Sequence, residues 1–304
     1  HHEFWDAFTH RLRSKLGDRA KDLLIFGEVY DGSPKALGKY TYRTDSAKNS
    51  APCFDSLLNF QYCFCLREFL RAPDQSCGSS GALAKVIQTM NFSGERAFYN
   101  ETIGLDGLSA RQKMVNFFEN HDGINRFLAR DVDVSKQQLA TVITMFVEGI
   151  PCLYYGSEFA LRDTDGVIGQ DGESGRLTYC KSGDMTTLNE ARQSDAFRLV
   201  SSLAALRSSS PVLTDGRCCR LSFDQPGTEV DDGSFGVARY LRKEKNGSGE
   251  CYLLFVNASN SKSSPMSADG GAVRLLDPKG KPLLKRQQKL VKVPVDSSLN
   301  SSFP

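Results

Sequence analysis

KMVNFFENHD, Lys113–Asp122, is the stretch on which the reading of the fold turns. Its first six residues form a short apolar run of the kind that makes a strand buried on both faces. The run stops abruptly at Asn120, His121 and Asp122. The chain has four histidines, and His121 is the one that lies beyond the first ten residues. An imidazole between an amide and a carboxylate at a strand end reads either as a polar turn with local hydrogen bonds or as a grip for a hydroxylated ligand.

Working outward, further apolar runs flank this one. DLLIFGEV (Asp22–Val29), LLNFQYCF (Leu57–Phe64) and GIPCLYYGSE (Gly149–Glu158) read as strands. GALAKVIQTMNF (Gly81–Phe92) has helical spacing. SKQQLATVITMFVE (Ser135–Glu148) reads as a helix with Ser135 and Gln138 as a capping box, and SDAFRLVSSLAALRSS (Ser194–Ser209) as the next. At the start, Phe4, Trp5, Phe8, Leu12 and Leu16 share one helical face, and Gly17 suits the helix end. Strands alternating with helices predict parallel βα units and an α/β fold. After Pro211 the texture changes to short alternating runs, FGVARYL (Phe235–Leu241), CYLLFVNAS (Cys251–Ser259), AVRLL (Ala272–Leu276) and KLVKVPV (Lys289–Val295), with turns at KNGSGE and DPKGKP. These predict a small antiparallel β domain over residues 211–304, after an α/β domain over residues 1–210.

A length of 304 residues leaves room for about two domains. A net charge of +2 makes no case for nucleic acid or a membrane surface. No apolar run reaches the roughly 18 residues of a transmembrane helix. The basic stretch Pro278–Val293 reads as solvated strand faces. Nine cysteines without a CxxC, and little histidine, argue against a zinc site. Cys63 and Cys65, two apart on an expected strand, read as small buried apolar residues. Sequons at Asn91, Asn100, Asn246, Asn257 and Asn300 permit a secreted protein. The opening inside an amphipathic helix, with no initiating Met, reads as a truncated start, so the signal region is not expected within this chain.

The strand ends carry the candidate chemistry. Glu28 ends DLLIFGEV, Asn120–Asp122 end KMVNFF, and Glu158 ends the Gly149 run. Taken singly, Glu28 reads as a solvated carboxylate, and Glu158 as a structural acceptor of backbone N–H groups near a helix start. On successive strands of one parallel barrel they converge on one mouth. Carboxylates gathered there suit glycoside hydrolysis, in which an oxocarbenium-like centre needs an acid and a carboxylate partner.

FGEVYDG, FFENHD and GIPCLYYGSE resemble three regions of the α-amylase family, glycoside hydrolase family 13, in order, spacing and strand context. FDSLLNFQYCFCLREFL resembles its sixth barrel strand and helix, and LVSSLAALRSSSPVL the last barrel helix before its C-terminal β domain. The resemblance implies the C-terminal half of a (β/α)8 TIM barrel, strands five to eight, followed by a small antiparallel β-sandwich. It implies Glu28 as general acid/base, Asp122 as the carboxylate that stabilises the transition state, and His121 and Asn120 as sugar contacts. Glu158 falls in a region of structural support. Arg176, in the acidic loop ALRDTDGVIGQDGESGR, is a further candidate contact; that loop does not fit an EF-hand.

No region like the family's GFRxDxxKH, which carries the nucleophile, occurs in the 304 residues. The resemblance therefore implies an N-terminal half of the barrel as the chain's partner, and inactivity of these residues alone. It implies an α-glucan substrate, secretion, and no cofactor within this chain, with structural calcium belonging to the complete enzyme. Two alternatives stay open: an α-glucanotransferase of the same family, and a non-catalytic amylase-like protein.

Overall fold

The computed structural model of the chain describes residues 2–41, 53–71, 102–103, 108–122, 134–161, 185–221, 234–241, 249–257 and 288–295. Helix α1 spans His2–Leu16 and ends at Gly17, whose φ of 53° is the left-handed conformation that a helix terminus favours in glycine. A 3-10 turn, Gly17–Asp22, leads to strand β1, Phe26–Gly27. The first strand is thus shorter than the apolar run that announces it. Helix α2 follows over Pro34–Thr41 and strand β2 over Ser56–Leu57.

The run Leu57–Phe64 departs from the expectation of one strand. Leu58 closes the strand with a parallel bridge to Val115, and helix α3 begins at Phe60 and runs to Arg71. The break is at Asn59, whose side-chain oxygen accepts the Tyr62 N–H at 3.2 Å and so caps the helix. A continuous apolar run does not distinguish a buried strand from a buried helix, and one amide decides it here. Cys63 and Cys65 are buried, as expected, but on this helix. Burial pushes the Cys63 thiol up to about 12 against the pull of the Arg67 charge.

A short antiparallel pair, β3 (Thr102–Ile103) and β4 (Leu108–Ser109), leads through helix α4 (Ala110–Lys113) into strand β5, Val115–Asn116. Helix α5 spans Val134–Phe146 and strand β6 Ile150–Pro151. Helix α5 opens at Val134, one residue ahead of the expected Ser135. The parallel strands stand in sequence order. Phe26 pairs with Ser56, Leu58 bridges Val115, and Val115 pairs with Ile150. Asn59 N donates to Val115 O and Cys152 N to Asn116 O, each at 2.8 Å. Parallel strands joined through helices give β1, β2, β5 and β6 a common C-terminal end.

Side chains lock this ribbon. Asp55 accepts both the Ile25 N–H at 2.8 Å and the Arg13 guanidinium at 2.9 Å, tying α1 and β1 to β2. Asn59 donates to Asn116 at 2.8 Å, and Asn116 donates to Glu148 O at 2.6 Å, so buried amides connect the last three strands of the ribbon. Behind it, Tyr62, Leu66, Phe69 and Leu70 of α3 pack against Leu139, Val142, Ile143 and Phe146 of α5.

Helices α6 (Met185–Arg192) and α7 (Asp195–Ser209) follow, the second capped by the Ser194 hydroxyl, which accepts the Phe197 N–H at 3.2 Å. A short helix, α8 (Pro211–Asp215), opens the C-terminal part. There β7 (Arg217–Leu221), β8 (Ser234–Tyr240), β9 (Gly249–Asn257) and β10 (Gln288–Val295) form one antiparallel sheet in the order β10-β9-β8-β7. Three of these strands follow the sequence expectation; Arg217–Leu221 was not anticipated, because its charged and cysteine residues give little alternation. Gly81–Phe92 and Ala272–Leu276 lie outside the described residues. Val237, Tyr252, Leu254 and Val256 join Leu199, Leu203, Val212 and Leu213 in one core, so the sheet packs directly on α7 and α8.

Candidate active site

The common C-terminal end of β1, β2, β5 and β6 gathers the strand-end residues. Glu28 directly follows β1 and is exposed to solvent. Past β5, Phe117, Phe118 and Glu119 remain buried, and the chain emerges at Asn120. There Asn120 Nδ2 donates to Asp122 Oδ2 at 2.7 Å, and Asp122 N donates to Asn120 Oδ1 at 3.2 Å. His121 Nε2 lies 3.3 Å from Asp122 Oδ1. All three are half-buried, so the amide, imidazole and carboxylate form a closed turn with faces still open to a ligand. Arg176 lies outside the described residues.

Past β6 the chain makes a 3-10 turn, Ser157–Phe159. Gly156 enters it at a φ of 92°, where a Cβ would also press on Leu161 at 3.0 Å. Glu158 Oε2 accepts the Gly156 N–H at 2.7 Å, the backbone-supporting role read from the sequence. Sequence reasoning missed Glu119 and Ser157. Both are buried, and the Ser157 hydroxyl donates to the Glu119 carboxylate. The available signal was an acidic residue between the apolar run and the polar turn. Among the described residues no group of three or more His, Cys, Asp or Glu side chains could hold a metal ion.

A model of the alpha-amylase catalytic domain matches residues 1–202. The chain belongs to the alpha-amylase family. Among curated relatives of this family, the intracellular maltogenic amylase of Bacillus subtilis is 26% identical over 218 residues, covering 71% of this chain and 29% of that protein. A cyclomaltodextrin glucanotransferase of Bacillus licheniformis is 27% identical over 197 residues, or 64% of this chain and 22% of its own length. The chain thus spans about a quarter of the length of these curated relatives. Among solved structures, the Geobacillus thermoleovorans alpha-amylase complexed with acarbose matches at a TM-score of 0.54 and 19% identity, covering 85% of this chain and 46% of that one. The cyclic α-maltosyl-(1→6)-maltose hydrolase of Arthrobacter globiformis matches at 0.56 and 17%, covering 97% and 53%. At these identities the likeness is one of fold, and the fold is that of the amylase-type TIM-barrel enzymes.

Proposed function

We propose that this chain is the C-terminal part of a retaining enzyme that cleaves α-glucosidic bonds in starch, glycogen or maltooligosaccharides. In this reading β1, β2, β5 and β6 are barrel strands five to eight, and the antiparallel sheet belongs to a C-terminal β-sandwich. The carrying observation is the closed Asn120–His121–Asp122 turn at the same end of a parallel ribbon as Glu28. Two further features support it. Leu24, just ahead of β1, and Phe26 of β1, at one edge of the ribbon, are more than half exposed, and Ile150 of β6 at the other is exposed too. On helix α1 the apolar face is uncovered among the described residues at Phe4, Trp5 and Phe8. Apolar edges of this kind suit further βα units that would close the barrel.

Glu28, as acid, gives its proton to the glycosidic oxygen while an Asp from the N-terminal half attacks the anomeric carbon. The carbon–oxygen bond breaks as the carbon–carboxylate bond forms, roughly 5–5.5 Å separating the two carboxyl groups. Glu28, now the base, takes a proton from water, which attacks the same carbon and frees the Asp. Asp122 opposes the positive charge that develops at the ring, and His121, Asn120 and Arg176 hold sugar hydroxyls. Secretion, permitted by the five sequons, and structural calcium in the complete enzyme are parts of the same proposal. A glucanotransferase, in which a sugar hydroxyl replaces water, is the second reading, favoured by the similarity to cyclomaltodextrin glucanotransferases. Glu28, His121 and Asp122 together speak against a non-catalytic reading.

Half a cleft retains part of the sugar contacts and none of the nucleophile. Titrating the 304-residue chain with maltoheptaose is expected to move the His121 imidazole resonances to saturation, on the order of millimolar affinity, without releasing reducing ends. His121→Ala should remove the saturable change at Asp122. Starch cleavage by the chain alone, abolished by Glu28→Gln, would overturn the assignment of the nucleophile to another segment.

A further inference from the structure

We propose that Glu119 and Ser157 are positioning residues that hold the Asn120–Asp122 turn in register with the cleft, an assignment that rests on reading that turn as the sugar-binding edge. The two come from neighbouring strand ends, past β5 and β6, and each is almost fully buried. The Ser157 hydroxyl donates to Glu119 Oε1. Ser157 is itself fixed from behind: Gln137 of α5 donates to Ser157 O at 2.5 Å, and Ser157 N donates to Tyr154 O at 3.1 Å. A hydrogen-bonded path therefore runs from the start of α5, through Gln137 and Ser157, to the residue that directly precedes Asn120.

Bonds within the turn join Asn120, His121 and Asp122 to one another and set its shape. Glu119 directly precedes Asn120, and a buried carboxylate that accepts a buried hydroxyl has little freedom to shift, so it carries the register of the core to the turn. Substrate groups misplaced by about 1 Å cost on the order of 10²-fold in rate, so a brace of this kind bears directly on the site.

The test uses the 304-residue chain with its few histidines. Ser157→Ala removes one oxygen, Glu119→Ala removes the acceptor, and Glu119→Gln keeps a carbonyl that can accept the Ser157 hydroxyl. The first two are expected to displace the His121 imidazole and Asp122 amide resonances and to weaken maltoheptaose binding by about 10-fold, with Glu119→Gln within about 3-fold of the parent. Should Glu119→Ala fail to fold, Ser157→Ala decides alone. Unmoved His121 and Asp122 resonances in folded Ser157→Ala would overturn the brace, and so would moved resonances with unchanged maltoheptaose affinity. A parent chain that does not bind maltoheptaose defeats the glucan reading instead, while the resonances still decide whether the brace positions the turn.

Discussion

In the complete enzyme, Glu28→Gln is expected to lower kcat on starch by about 10²–10⁴-fold, the contribution of a positioned general acid. An amide carries no proton for the leaving glucosyl oxygen and cannot later take one from water. The loss should depend on the leaving group. With an α-glucosyl fluoride, fluoride departs without protonation, so the first step should survive in Glu28→Gln and the burst of fluoride should remain. Asp122→Asn is expected to lose both reactions, because the charge opposing the oxocarbenium-like centre is needed whichever group leaves. Equal loss on both substrates for Glu28→Gln would remove Glu28 from the acid role. The exposed position of Glu28 after β1, at the open end of the ribbon, is where a leaving group can reach it.

The second large effect concerns stability and lies where the sheet docks. Helix α5 has no basic residue in its last turn, so its terminal carbonyls need partners from elsewhere. Two arginines supply them. Arg207 of α7 donates to Met145 O at 2.9 Å and Gly149 O at 2.7 Å. Arg239 of β8, fully buried, donates to Phe146 O at 2.9 Å and to Leu213 O at 2.8 Å. Nearby, Glu148 accepts the Cys218 N–H at 2.9 Å. Burial, with the neighbouring Arg239 charge, lowers Arg207 to about 10.

Arg239→Ala leaves these carbonyls unpaired, opens a cavity and strands the surrounding polar groups. We expect a loss of about 3–5 kcal/mol in urea unfolding of the chain. Arg198→Ala, which removes an exposed ion pair with Asp195, is expected to cost under about 1 kcal/mol. Equal costs for the two would show that Arg239 does not hold the sheet to the helices.

Much of this architecture was legible because periodicity and punctuation report burial directly. Helix α1 and its terminal Gly17, the parallel order of the strands and the polar turn after Phe118 follow from the pattern of apolar residues. The antiparallel strands after Pro211 follow from alternation between turn residues. What escaped depends on single polar groups acting over long sequence separations. Asn59 converts an apolar run from strand to helix by capping it, and no run length reveals that. Ser157 meets Glu119, and Arg239 meets Phe146 O, only once the chain has folded. In the site, the residue types of the turn were readable, whereas the brace behind them was not, because a buried serine has no sequence signature.

The most direct measurement is to trap the covalent intermediate. The complete enzyme is treated with an α-glucosyl fluoride slowed by a second fluorine on the ring, so that the anomeric carbon–fluorine bond breaks, an ester to the enzyme forms and hydrolysis lags. Peptide mass spectrometry then locates the sugar. The account predicts an ester on an Asp outside His1–Pro304, with Glu28 and Asp122 unlabelled. An ester on Glu28, Asp122, Glu158 or any other carboxylate within these 304 residues would contradict it.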